Sequence, residues 1–541
     1  GGGGGSSIIP PAEGTYVEAP DTVKKLATTQ QVYNYSSTAA NVSMALPVQS
    51  GTTVNYLLTV TNNSSKDPQN VQLFPETSLS GSARPEESLH ASMLTAEDAE
   101  LIQMAAVKGR LEEKLRQNTI NVLRQSGGNL RSSMRASDNQ NEKEGDIVTI
   151  SLVDDGSGLS YTTRSCKLER MTAHCKIFVD QNSFQFDGRT LSAVDGQNKV
   201  TDADLDHFAD EFERFIFPLL NDYYGNVYDI DKDGRLSILI SPVYALIGFA
   251  GLFNTVDMTP PDPVKGPLAN SNQRDLIGVW SPGYSPTFTG EYWRAATRET
   301  IAHEMQHIVN YSAKVYPQGT VKPGVANYDS IIETMWLDES LSVGVEARYR
   351  ANRGAVGRPS YYNGVPVSAD AASYDKRFEH WAQSPQSVRM DDFSYNTNPF
   401  QHYGQKGLFN FYLFEQYGAE AIRKLNQNTK NGVANFEEVF GAGSFARLVK
   451  QWEFAAVNEG LRGVIAFNSL DAKYRYTTPM NITPQKTVQF DAKYPDSLTV
   501  QPGATAFYAI RQPSTISVSE YKFRIQSTEG HGIEVNMMRL P

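Results

Sequence analysis

Residues 300–310 read TIAHEMQHIVN and hold two of the eight histidines in a chain of 541 residues. His303 and His307 are four positions apart, so on a helix they share a face and can both direct a ring nitrogen at one ion. Glu304 lies about 100° around the same helix, where its carboxylate can hold a water without ligating the metal. The pattern predicts a zinc site with Glu304 as general base, against the alternative of two solvated surface histidines.

A hydrolytic zinc site needs a third protein ligand and one open position. The stretch IIETMWLDESLSVGVEARYR downstream has a helical pattern and contains several acidic candidates. The candidates are Glu333, Asp338, Glu339 and Glu346. A helix that placed WLDES beside HEMQH would present Glu339 to the zinc, with Glu346 two turns along the same face.

Hydrolysis also needs a donor to the oxyanion that forms at the scissile carbonyl. The stretch HYGQKGLFNFYLF begins at His402 and has the pattern of an amphipathic helix. We favour Tyr403 as the donor, with His402 and His380 as alternatives. The non-catalytic interpretation is a packed aromatic stripe.

A second cation site is indicated by DIDKDGRLSILI. Asp229, Asp231 and Asp233 occupy positions 1, 3 and 5 of this stretch, and Gly234 occupies position 6, as in a calcium loop. Position 12 is Ile240 rather than Glu, and a strand pattern follows. An Asp-rich turn that leads into a buried strand is therefore the alternative to calcium binding.

The elements around these motifs indicate an α+β protein. Alternating apolar residues predict strands near both ends of the chain, and helical patterns dominate the middle. We predict a flexible tether at 1–13, an N-terminal β module at 14–90, an amphipathic helix and linker at 91–145, a catalytic domain at 146–470 and a C-terminal β-sandwich module at 471–541.

Composition excludes several functions. The formal net charge of −11 and the pI near 5.4 would repel nucleic acid, and no basic stripe offsets them. The longest apolar run, 243–253, is too short to span a bilayer and contains two glycines.

Two features bear on the compartment. The leader GGGGGSSIIPPAEG is typical of a flexible tether and resembles the stretch after the lipidated cysteine of bacterial lipoproteins, which predicts an N-terminal lipid anchor. Cys166 and Cys175 are nine apart between strand-like runs, and we predict a hairpin disulfide in an oxidising compartment, with two buried free thiols as the alternative.

HEMQH followed by WLDESLSVGVE is similar to the gluzincins and, among them, resembles the hyicolysin family of bacterial metallopeptidases. The resemblance extends over roughly residues 175–420. It implies a zincin-type catalytic domain with zinc ligands His303, His307 and Glu339 and with Glu304 as general base. The segment around Tyr403 also resembles the one in which related gluzincins carry a catalytic tyrosine.

One position departs from the thermolysin branch of the gluzincins. That branch has an acidic residue four positions after the third ligand, where this chain has Val343. Asp338 and Glu346 are the candidates to replace it as the carboxylate that orients a ligand.

These observations predict a secreted or surface-anchored zinc endopeptidase that acts on polypeptides. The strand-like run 275–280 ahead of the zinc helix could pair with an extended substrate, which favours an endopeptidase. The alternative is a surface adhesin or binding protein with an inactive zinc site. The sequence leaves open the cleavage preference and whether residues 1–145 act as a pro-segment.

Overall fold

The structure is a computed structural model. It describes residues 17–75, 96–125, 138–155, 160–247, 251–259, 270–284, 289–317, 328–353, 360–362, 365–367, 376–463, 465–476, 486–489, 497–516 and 518–541. The chain mixes helix and sheet, as expected for an α+β protein. It divides into two compact units: unit 1 comprises residues 1–93, 376–392 and 447–541, and unit 2 comprises residues 94–375 and 393–446.

The strands, in chain order, are β1 Val17–Glu18, β2 Val32–Ser37, β3 Asn41–Pro47, β4 Val54–Asn62, β5 Gln69–Pro75, β6 Ile147–Val153, β7 Tyr161–Met171, β8 Cys175–Asp180, β9 Phe184–Phe186, β10 Arg189–Leu191, β11 Leu236–Ser241, β12 Gly251–Phe253, β13 Leu276–Trp280, β14 Ser360–Tyr362, β15 Val365–Val367, β16 Lys486–Gln489, β17 Leu498–Val500, β18 Thr505–Gln512, β19 Glu520–Gln526 and β20 Ile533–Arg539. The α-helices are α1 Thr22–Lys25, α2 Ala96–Gln125, α3 Asp202–Glu211, α4 Phe217–Tyr223, α5 Gly290–Val315, α6 Met335–Asn352, α7 Lys376–Gln383, α8 Pro399–Gln427, α9 Gly432–Phe440 and α10 Ser444–Gly460.

Unit 1 contains two five-stranded sheets, in the orders β1-β3-β19-β5-β17 and β16-β18-β4-β20-β2. Alternate residues of their strands form one apolar core, to which Val42, Leu58, Tyr508 and Phe523 contribute. Both sheets combine strands from the two ends of the chain, since β4 pairs with β18 and β20, and β3 pairs with β19. The structure therefore has one sandwich where the sequence predicted separate modules at 14–90 and 471–541.

Unit 2 is built on a six-stranded mixed sheet in the order β12-β13-β11-β8-β7-β6. Strands β8, β11 and β13 are parallel, as expected for apolar runs that helices cover, such as the fully buried Leu236–Ser241. Strand β13 is paired on both sides, so it cannot receive a substrate strand as the sequence predicted. The edge of the sheet on this side is β12.

Three long helices of unit 2 carry the predicted site residues. Helix α5 packs against β12 and β13 and contacts α6 and α8, and α6 also packs along α8. Buried polar residues fix the contact between α5 and α8, because Gln306 donates to Asn426 Oδ1 at 2.9 Å and Asn310 donates to the Asn426 carbonyl at 3.1 Å. Helix α8 begins with Asn398 as its N-cap and is interrupted at Gly418, where φ is 77°.

The disulfide prediction was wrong. Cys166 and Cys175 are buried free thiols. Cys166 lies opposite Asp180 in the β7–β8 hairpin, five residues along β8 from Cys175. Five residues of strand span about 17 Å, far beyond the reach of a disulfide.

Within the described residues, none of the helices combines the length and apolar character required to cross a membrane.

Candidate metal centre

Helices α5 and α6 bring three predicted ligands together. His303 and His307 are nearly fully buried on α5, and Glu339 is fully buried on α6. The Nε2 atoms of His303 and His307 lie 3.3 Å and 3.9 Å from the two carboxylate oxygens of Glu339. One atom of each residue lies within 4.8 Å of the others, a spacing that one metal ion could bridge.

The atoms of this cluster that would bind the metal have no hydrogen-bond partner. His303 Nε2, His307 Nε2 and Glu339 Oε1 are all buried and unsatisfied. Leaving three such atoms buried without partners is costly, so the arrangement fits a bound cation. Two imidazoles and one carboxylate are a ligand set that suits zinc.

Two outer carboxylates lie beside the Nδ1 atoms of the histidine rings, and the one at His303 forms a hydrogen bond. Glu346 Oε1 lies 2.5 Å from His303 Nδ1, and Asp338 Oδ2 lies 3.0 Å from His307 Nδ1. A carboxylate on Nδ1 favours the tautomer whose Nε2 carries the free lone pair. The sequence named these two residues as alternatives, and the structure places one on each histidine.

The electrostatics of the cluster favour positive charge. Burial lowers the pKa of His307, but Asp338 and Glu339 outweigh it and raise the pKa to about 10. Burial raises the pKa of Glu339, but the nearby imidazoles of His303 and His307 outweigh it, so the pKa is lowered. A dication would supply the positive charge that the protonated imidazoles otherwise carry.

Glu304 is fully buried next to the three ligands, and both of its oxygens accept hydrogen bonds. The Phe253 N–H of β12 donates to Oε2 at 2.9 Å, and Lys108 Nζ of α2 donates to Oε1 at 2.8 Å. Gly251 permits this approach of β12, since a Cβ there would lie 2.7 Å from Glu304 Cγ. Burial raises the pKa of Glu304, but Lys108 and the two site histidines outweigh it and lower the pKa.

The residues weighed as oxyanion donors lie in different places. Tyr403 is buried at the start of α8 with its ring 4.9 Å from that of Phe393. Tyr403 is close enough to Lys108 to contribute to the raised pKa of that lysine, which burial opposes and nearby carboxylates favour more strongly. His402 lies next to Tyr403 with Nδ1 3.4 Å from Lys406 Nζ. His380 belongs to unit 1.

Glu333, the alternative third ligand, is engaged elsewhere in unit 2. Its carboxylate is buried 2.8 Å from Lys314 Nζ and accepts hydrogen bonds from the Gly432 N–H and from Asn435. It is absent from the cluster of His303, His307 and Glu339. Glu333 therefore stabilises the junction of α5 and α9.

The acidic loop also forms a cluster. Ligand atoms of Asp229, Asp231 and Asp233 lie within 4.8 Å of one another. Asp229 accepts the N–H groups of Asp233 and Gly234 at 3.1 Å and 3.0 Å, as in an Asx turn. Lys176 Nζ forms an ion pair with Asp233.

Two carboxylate oxygens near this loop are buried with neither a hydrogen bond nor an ion pair within the part of the chain that the structure describes. They belong to Asp231, which is 3% exposed, and to Asp275, which is 2% exposed. Burial and the charge of Asp233 raise the pKa of Asp231 to about 6. Burial and the loop aspartates hold the pKa of Asp275 well above its usual value.

Sequence reasoning missed Lys108 and Glu112 of α2. Oxygen atoms of Glu112 and Glu304 and a ring nitrogen of His307 also lie within 4.8 Å of one another. Burial raises the pKa of Glu112 to about 7, against the opposing charge of Lys108. The available signal was a lysine on the apolar face of α2, between the buried Ala105 and Leu111.

Comparison with known proteins supports the metal-dependent chemistry. No protein-family model matches the chain. It is similar to the neutral metalloprotease ShpI of Staphylococcus hyicus, with 22% identity over 324 residues, which cover 58% of this chain and 68% of the relative. The similarity supports a metallopeptidase that uses a metal ion and acts on polypeptides.

Proposed function

We propose that the protein is a zinc-dependent endopeptidase of the gluzincin type, similar to the hyicolysin family. One observation carries the proposal: the free donor atoms of His303, His307 and Glu339 converge in a buried site beside Glu304. A purely structural zinc site would have four protein ligands and no need of a carboxylate that does not ligate. The relative's description as a neutral metalloprotease supports the same reaction.

The roles of the residues follow from their positions. Zinc, when bound, would polarise the scissile carbonyl and make water nucleophilic near neutral pH. Glu304 Oε1 would accept the proton of that water and pass it to the leaving amine. Tyr403 is the proposed donor to the oxyanion, since it is buried at the start of α8 and interacts electrostatically with Lys108, the partner of Glu304.

An extended substrate would bind along β12. This strand is the edge of the sheet, and its Phe253 N–H already reaches Glu304. Main-chain pairing with an edge strand holds a peptide in extended form without requiring a free terminus. This supports cleavage within chains rather than at their ends.

The test combines metal analysis with cleavage. Purified protein should contain one zinc per chain. A Gly109→Ala variant, whose helix α2 cannot dock against Tyr395 and so releases Glu304 from Lys108, should cut an unstructured protein mixture at internal bonds that mass spectrometry identifies. A chelator should abolish cutting, and added zinc should restore it. Protein without zinc would contradict the proposal, and zinc-loaded protein that cuts nothing after α2 is displaced would favour the adhesin.

A calcium ion in the acidic loop is the second part of the proposal. Five carboxylates lie in or near the loop, those of Asp229, Asp231, Asp233, Asp275 and Glu142, and their ion pairs come from Lys176 and Arg274. Lys232 and Arg235 of the same segment donate to main-chain carbonyls instead. The unpaired oxygens of Asp231 and Asp275 supply ligand atoms of the kind that calcium prefers. A melting temperature that does not respond to calcium, in protein first stripped of it, would refute this part.

Export and surface anchoring also remain proposals. Their support is the Gly/Ser-rich composition of residues 1–13. The cysteines no longer add to it, since the free thiols of Cys166 and Cys175 give no evidence of an oxidising compartment. Antibody labelling of intact producing cells tests the surface location. Labelling only after lysis would contradict it.

A further inference from the structure

Helix α2 lies across the metal centre. Its 30 residues pack against α8 and against the 3-10 turns at 242–247 and 255–258, which flank β12 on either side. The helix therefore runs beside the edge strand to which an extended substrate would add. Ala106, Leu111, Leu115, Ile120 and Leu123 of α2 are all buried, so the contact is a packed one.

Lys108 donates a hydrogen bond to Oε1 of Glu304, the oxygen that would accept the proton from water. Its Nζ lies 2.8 Å from Glu304 Oε1, and Oε2 already accepts the Phe253 N–H. A carboxylate offers about four lone-pair positions, so water could still approach Glu304, but on Oε1 it would have to compete with the Lys108 ammonium group. In this arrangement Glu304 is aligned with the three ligands, but the oxygen assigned to the proton transfer is held by Lys108.

Glu112, one turn along α2, reaches the side of His307. A Glu112 oxygen lies within 4.8 Å of a His307 ring nitrogen and of a Glu304 oxygen, and Lys108 Nζ lies 3.2 Å from Glu112. Catalytic zinc sites keep a fourth position open for water or substrate. A carboxylate that close to a ligating histidine is placed to fill that position.

The docking of α2 uses specific contacts. A Cβ at position 109 would lie 1.6 Å from Cε1 of Tyr395, so only glycine allows the helix to approach this closely. Arg116 donates to the carbonyls of Ile332 and Glu333, at 3.2 Å and 3.0 Å. The hydroxyl of Thr119 hydrogen-bonds to that of Thr255, in the turn after β12.

We infer that α2 is an inhibitory segment: Lys108 sequesters the base, Glu112 fills the open ligand position, and the helix excludes the substrate until it is displaced. The inference rests on the proposed zinc peptidase. The structure also limits which part of the chain can act as the inhibitory segment of the peptidase. Residues 17–75 supply strands to the unit 1 sandwich, so release of the whole of 1–145 would dismantle both sheets, whereas α2 belongs to unit 2.

The test uses zinc-loaded full-length protein and a peptidyl hydroxamate, a probe that needs a free position on the metal. Lys108→Met removes the inhibitory charge and keeps an apolar stem of similar length. Gly109→Ala keeps Lys108 and raises the helix propensity but forces α2 away from Tyr395. Lys114→Met, an exposed position on the same helix, is the matched control.

We expect Lys108→Met and Gly109→Ala to bind the hydroxamate at least tenfold more tightly than the wild type, and Lys114→Met to match the wild type. Equal affinity in the wild type and both variants would overturn the inference. If Lys108→Met does not fold, Gly109→Ala carries the test alone. Variants that bind the probe more tightly but cleave no peptide would support the inhibitory contact and refute the peptidase, so the two failures are distinguishable.

Discussion

Unit 2 contains two clusters of potential metal ligands. They differ in whether their ligand atoms already have hydrogen-bond or ion-pair partners within the protein. In the histidine cluster, the atoms of His303, His307 and Glu339 that face one another have no other partner, and outer carboxylates hold the rings in place. In the acidic loop, most aspartate oxygens accept N–H groups or pair with lysine, while one oxygen of Asp231, and one of Asp275 before β13, have no partner among the described residues.

The difference shows that motif spacing alone does not define a metal site. The spacing of DIDKDG matches a calcium loop, yet the fold already satisfies much of that loop. The spacing of HEMQH matches a zinc site, and the fold provides no other partner for the Nε2 atoms. We therefore expect metal to be essential for activity at the first cluster and to affect only stability at the second.

The largest effect is expected at Glu304. Glu304→Gln keeps the shape of the side chain but removes the base, so cleavage should fall at least about a thousandfold. The measurement belongs in the Gly109→Ala background, where α2 is displaced. Zinc content should stay at one per chain, and a zinc-free variant would show that Glu304 is a ligand.

The second largest effect distinguishes Glu339 from Glu333, two buried glutamates six residues apart in the chain. Glu339→Gln should weaken zinc binding more than about a hundredfold, beyond the range seen for outer partners. Glu333→Gln should leave zinc affinity unchanged and lower the melting temperature, because it leaves Lys314 buried without its counter-charge. Zinc titration against a competing chelator measures the zinc affinity of both variants. A larger loss of affinity in Glu333→Gln than in Glu339→Gln would make Glu333 the ligand.

Smaller losses are expected from the outer carboxylates. Glu346→Gln and Asp338→Asn should each weaken zinc binding by about 10–100-fold, since they orient His303 and His307 without touching the metal. The same competition titration measures both. Wild-type affinity in either variant would show that its carboxylate is not needed to set the tautomer.

The smallest effect is expected at the acidic loop. Calcium at a hundredfold above its dissociation constant would add about 2.7 kcal/mol and raise the melting temperature by a few degrees. Asp231→Asn should abolish this increment and leave zinc content unchanged, whereas Asp210→Asn, an exposed control on α3, should keep it. A calcium response that survives Asp231→Asn would place the ion elsewhere.

The sequence predicted the parts of the site that depend on local periodicity. The interval of four between His303 and His307 places both on one face of α5, and the acidic positions in WLDES needed only a helix beside it. The same reasoning grouped Asp229, Asp231 and Asp233 before β11, where their ligand atoms do cluster, and calcium binding there stays a prediction. Such inferences succeed because helix and turn geometry relate residues only a few positions apart.

Non-local contacts could not be predicted this way. Lys108 and Glu304 are 196 residues apart, and no pattern in either helix encodes their ion pair. The sequence showed that strands lie at both ends of the chain but not that β4 would pair with β18 and β20. Cys166 and Cys175 were close in sequence, but the register of their hairpin separates them.

The interleaved sandwich has a consequence for biosynthesis. Thr61 of β4 cannot pair until the ribosome has synthesised Thr505 of β18, its partner 444 residues later. At ribosomal rates of about 5–20 residues per second, the delay is roughly 20–90 s, during which the early strands expose unpaired edges. All of unit 2 precedes β16–β20 along the chain, so its metal centre can assemble while unit 1 is still half made. We expect the last hundred residues to set the time at which the nascent protein is no longer at risk of aggregation.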